Sequence, residues 1–88
     1  MSEIIIPVSS TSLQQKIYAI KDGNLVEQKE VHLTDDDLTS AIAYLANKYN
    51  IANVNFTGNK EFTCYFVEQV KEKFTNKYTV NLNINYVN

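Results

Sequence analysis

At 88 residues and a formal net charge of −2, the chain has the length of one small domain, and residues 1–88 read as a single unit. Its 44% hydrophobic content argues against disorder, and all eight of its basic residues are lysines, so neither charge nor arginine favours nucleic acid or an anionic membrane. No run approaches the roughly 20 apolar residues of a membrane span, and the start MSEIIIPVSS lacks the features of a secretion signal.

A lone cysteine, Cys64, leaves no internal disulfide and fits a reducing interior, so the expected compartment is the cytoplasm. Frequent Asn, Lys, Ile and Tyr beside scarce Gly and Pro match AT-rich codons, as in a low-GC bacterium or a phage infecting one.

In chain order, EIIIPVS (residues 3–9) is an apolar run that suits a strand buried on both faces. Pro7 cannot donate a ladder hydrogen bond, so regular pairing should stop or bulge there. After the polar bridge STSLQQ, KIYAIKDGNLVEQKEVHL has the pattern of a hairpin. Lys16 to Lys21 folds back through Asp22-Gly23, which supplies the positive φ of a tight turn, onto Leu25 to Leu33. Glu27, Lys29 and Glu30 on the second arm suit an exposed edge strand.

Thr34 is placed to cap the first helix, with Asp37 three residues later completing a capping box and Asp35 and Asp36 beside it in the first turn. Leu38, Ala41, Ile42, Leu45, Ala46 and Tyr49 form one apolar stripe, ended by NKYN. IANVNFTG (51–58) alternates, with Ala52, Val54 and Phe56 facing one way. A second helix is predicted from about Lys60 to Phe74, with Phe62, Phe66, Val70 and Phe74 in register and Tyr65 and Val67 flanking. The last strand, TVNLNINYV (79–87), turns Val80, Leu82, Ile84 and Tyr86 inward and Asn81, Asn83 and Asn85 outward.

The order β-β-β-α-β-α-β, with right-handed crossovers stepping in one direction, places both helices on one face. The expected architecture is a two-layer α/β domain with a five-stranded mixed sheet of order 3-2-1-4-5 and an open face rich in Asn and Thr.

That topology resembles the ribonuclease H-like fold, and EIIIPVSS followed by KIYAIKDGNLVEQKEV is also similar to the opening of the small iron–molybdenum-cofactor-binding domains. The first resemblance implies a metal-binding aspartate in the middle of the first strand, where this chain has Ile4, Ile5, Ile6, Pro7 and Val8. It implies a second acid near the end of the strand after the first helix, where Phe56, Thr57 and Gly58 stand. The second implies a glycine-rich segment at that place, to which only Gly58 answers. No catalytic residue and no cofactor carries over.

Among candidate sites, Thr57-Gly58-Asn59 followed by Lys60 could present backbone N–H groups to an anion, or Gly58 could simply turn the chain while Asn59 caps the helix. One glycine is not a phosphate-binding fingerprint, which favours the turn. The three aspartates point about 100° apart on a helix and read as capping, not as a cation site. His32 has no second histidine or cysteine at ligand spacing. Cys64 sits among Phe62, Tyr65 and Phe66 and reads as a small buried hydrophobe, with a His32–Cys64 pair as the reactive alternative. The aromatic residues fall mostly at core positions and lack the basic groove of a single-strand binder.

The final strand carries no charge, proline or glycine, although its place after the last crossover makes it a sheet edge. It either pairs with another chain or frays. The leading expectation is a small non-enzymatic protein-binding or assembly module, self-associating or heteromeric, acting through Asn81, Asn83, Asn85 and Tyr86 on this edge or through the polar face. The alternative is a ribonuclease H-like relative without nuclease activity that binds an anionic ligand or nucleic acid at Gly58, Asn59 and Lys60.

Overall fold

The computed structural model describes residues 1–78 and 81–88. Its elements run β1 (Glu3–Val8), β2 (Gln14–Lys21), β3 (Asn24–His32), α1 (Asp35–Tyr49), β4 (Asn53–Gly58), α2 (Lys60–Lys77) and β5 (Asn83–Tyr86). They form one mixed sheet of order β3-β2-β1-β4-β5, as the crossover argument requires. The β2–β3 hairpin turns through Asp22 and Gly23, both at positive φ. Its register shifts between Ala19 and Ile20, which face Glu27 and Leu25, so Val26 is left as an extra residue on the edge strand.

Both helices cover one face. Ile4, Ile6 and Val8 of β1, Ile17 and Ala19 of β2, and Val54 and Phe56 of β4 are buried beneath them. The alternate residues Ile5 and Tyr18 are half-buried and Pro7 is exposed, so β1 is covered on one face, not both. With both helices on that side, no element among the described residues covers the other. That open face carries an asparagine pair, Asn83 Nδ2 donating to Asn53 Oδ1 at 3.2 Å, and an Asn55 amide donating to Glu3 at 2.7 Å.

Pro7 interrupts one ladder only. Pairing toward β2 ends at Ile5 with Tyr18, and the Gln15 side-chain amide takes up the Pro7 carbonyl at 2.8 Å. Pairing toward β4 continues through Pro7–Thr57 to Val8–Gly58. Gln15, expected in the polar bridge, is therefore a buried residue of β2.

α1 is capped by Thr34, whose hydroxyl accepts from the Asp37 N–H at 3.1 Å, and it ends on Asn50 in the left-handed region. The capping box is half made, because the Asp37 carboxylate turns to His32 and the Thr34 N–H bonds the His32 carbonyl. In α2 the buried stripe is Thr63, Phe66, Val67, Val70 and Phe74. Phe62 and Tyr65 lie outside it and pack edge-to-face on Phe66 at 5.3 and 5.2 Å. Seen from the core, the i, i+3, i+4, i+7 rhythm starts at Thr63, a polar residue that an apolar pattern passes over. Ala52 precedes β4 and is exposed, not inward.

The last strand is shorter than its alternation suggested. β5 spans four residues, Asn81 and half-buried Leu82 precede it, and the expected inward Val80 lies, with Thr79, outside the described residues.

Candidate functional site: the β5 edge and the Gly58 turn

β5 lies parallel to β4, with Asn53 opposite Asn83 and Phe56 opposite Tyr86. Asn83 donates its N–H to the Ala52 carbonyl and Val87 donates to Phe56, each at 2.8 Å. Along a parallel strand the bonding side alternates, so residues 83, 85 and 87 turn their backbone groups to β4. The N–H and C=O of Ile84 and Tyr86 turn away from the sheet. Among the described residues no strand pairs with that outer side. Ile84 is itself only 4% exposed, and Lys71 and Thr75 of α2 line the same groove, of about 510 Å³, with Phe74 and Leu82.

Asn83 and Asn85 are exposed, as expected, but they differ. The Asn83 amide is engaged with Asn53, whereas Asn85 stands opposite Asn55, whose amide goes to Glu3. Asn81 precedes the strand. Tyr86 is half-buried, and its hydroxyl donates to the Gly58 carbonyl at 2.8 Å. Two regions that look separate in sequence, the strand-to-helix turn and the last strand, are thus tied together at one corner of the sheet.

The turn itself is packed. Gly58 has φ +126, and a Cβ there would run into the Val8 carbonyl oxygen and crowd Thr63 Oγ1. Glycine is needed because the backbones of β1 and β4 and the first turn of α2 meet at this point. The Asn59 side chain accepts from the Phe62 N–H at 3.1 Å and its carbonyl accepts from Thr63, so the cap consumes donors that an anion would use. Lys60 is exposed beside it. Thr63 Oγ1 is buried without a hydrogen-bond partner, enclosed by the same contacts and not turned toward an opening.

The remaining candidates separate. Asp36 reaches Lys73 of α2 at 2.9 Å and Asp37 faces His32 at 3.5 Å, so the aspartates diverge. The Lys73 ammonium, by hydrogen bond first and charge second, holds the Asp36 carboxyl below its ordinary 3.8. His32 lies on the β3 edge, and half-buried Cys64 lies on α2, which packs on β4 and β5 at the other edge. Among the described residues no group of three or more His, Cys, Asp or Glu side chains could hold a metal ion. No helix there is long and apolar enough to cross a membrane.

One cluster was not legible beforehand. On the β3 edge Glu27 accepts from Lys48 at 2.8 Å and from the Tyr49 hydroxyl at 2.7 Å, while Lys29 lies 4.6 Å over the Tyr44 ring. These bonds hold the Glu27 carboxyl below its ordinary 4.5, the Lys48 bond contributing most, and push the Lys48 ammonium upward. The i, i+4 spacing of Tyr44 and Lys48 is a sequence signal for a shared helix face, but no local pattern points to Glu27 on β3 as the partner.

No family model, curated protein or solved structure matches the chain.

Proposed function

We propose that this protein is a non-enzymatic binding or assembly module, built on a ribonuclease H-like scaffold, that takes an extended segment of another chain onto the outer side of β5. The observation that carries the reading is the pair of outward-facing backbone groups at Ile84 and Tyr86, on an edge with no charged residue from Tyr78 to Asn88. The strand order supports the scaffold assignment. Apolar and small residues at the two positions where nucleases of that fold carry acids support a binding role instead of a hydrolytic one. The lone cysteine supports a cytoplasmic setting, the Asn-, Lys-, Ile- and Tyr-rich composition a bacterial or phage-infected host, and the absence of arginine a protein partner in place of nucleic acid.

The test compares wild type with Asn85→Lys, which places a charge on the edge, and Tyr86→Pro, which removes an outward N–H. Glu61→Lys, an exposed position at the start of α2, serves as control. Association with another chain is expected to persist in the control and to vanish in both edge variants, with the far-UV spectra of the control and of Asn85→Lys unchanged. The same association in all four proteins would contradict the reading.

A further inference from the structure

We infer that the segment received by β5 is the β5 of a second copy of this chain, paired antiparallel about a two-fold axis midway between the two copies of Asn85. The inference rests on the strand-addition reading above. Because the free backbone groups belong to Ile84 and Tyr86, an antiparallel copy centred on Asn85 sets Ile84 against Tyr86 of the other copy and Tyr86 against its Ile84. Each of those two pairs exchanges both backbone hydrogen bonds. No like charges meet on the strand, since it has none.

The helix above the strand fits the same axis. α2 packs on both β4 and β5, which puts its axis about 5 Å from the two-fold and two copies about 10 Å apart, the spacing of directly packed helices. Its height follows from Thr63, which abuts Gly58. From Gly58 back to the level of Asn55 and Asn85 the strand runs about 10 Å, which a helix covers in roughly six to seven residues. The axis therefore passes between Gln69 and Val70.

About that point, Glu68 meets Lys71 of the other copy, and Cys64 meets Thr75. Lys71 and Thr75 line the groove beside Ile84, and Cys64 and Glu68 share their side of α2 by spacings of four, three and four. The surface is self-complementary: opposite charges at the centre, and small side chains on either side that let the helices approach. The Lys71 side chain that lines the groove beside Ile84 in the single chain would swing to Glu68 of the other copy and uncover the strand. A four-residue strand and one helix face make a small interface, so the dimer should depend on concentration.

The test is a charge exchange read by light scattering on a sizing column over a range of concentrations. Wild type is expected to move from the mass of one chain to twice that mass. Lys71→Glu alone and Glu68→Lys alone each bring like charges together and should remain single chains. An equimolar mixture of the two restores both ion pairs and should recover the doubled mass. A wild type that stays single throughout overturns self-pairing, as does a dimer indifferent to either substitution. If the protein stays single while a different partner is still lost in Asn85→Lys and Tyr86→Pro, self-pairing fails and the strand-addition reading stands. If self-association persists in those two variants, both fail.

Discussion

The two edges of the sheet are built on opposite plans. β3 is nine residues long, bulged at Val26, lined with Glu27, Lys29 and Glu30, and latched to α1 through the Glu27–Lys48–Tyr49 cluster. β5 is four residues long and uncharged, and it is held by burial of Ile84 under α2 and by the Tyr86 bond to Gly58. Charge and irregularity on an edge discourage further pairing, and their absence permits it. The contrast teaches that the same small sheet closes one side by electrostatics and leaves the other open.

The sharpest way to probe this contrast is to weaken each edge in turn. Ile84→Ala removes a buried side chain and should cost about 2–3 kcal/mol in denaturant unfolding. Val31→Ala on half-buried β3 should cost about 1 kcal/mol, because less apolar surface is lost. Equal losses would mean that packing does not distinguish the edges.

A smaller effect separates them by pH. Lys48 and Tyr49 hold the Glu27 carboxyl below its ordinary 4.5, so the folded state gains stability from the ionised group above that value. The contribution is lost as pH falls through the lowered folded value. Amide protection on β3 near Glu27 should therefore decline below pH 4.5, while β5, with no acidic or basic side chain, should show no matching local loss. A parallel decline on both edges would show that the latch does not stabilise β3 separately.

Much of the fold was legible in sequence because its signals are local. The Asp22-Gly23 turn, the Thr34 and Asn59 caps and the Leu38-to-Ala46 stripe each fix an element, and right-handed crossover then fixes the order. The misses are tertiary. Thr63 joins the core because Gly58 admits it, while Phe62 and Tyr65 fall outside, and hydrophobicity alone ranks these residues the other way. Asp37 could complete a cap or reach His32, and only the placement of β3 against α1 decides.

The candidate surface was legible in part. The uncharged final strand was visible, but its four-residue length, the outward turn of the Ile84 and Tyr86 backbone groups, and the tie from Tyr86 to Gly58 depend on pairing with β4. The match of Glu68 with Lys71 emerges only when helix and strand are measured against each other.

The most direct test of the central claim is hydrogen exchange at the β5 backbone amides as protein concentration is raised. At low concentration Asn83, Asn85 and Val87, bonded to β4, should be protected while Ile84 and Tyr86 exchange quickly. Raising the concentration should protect Ile84 and Tyr86 together. Exchange at those two amides that does not change with concentration would contradict pairing of β5 between copies.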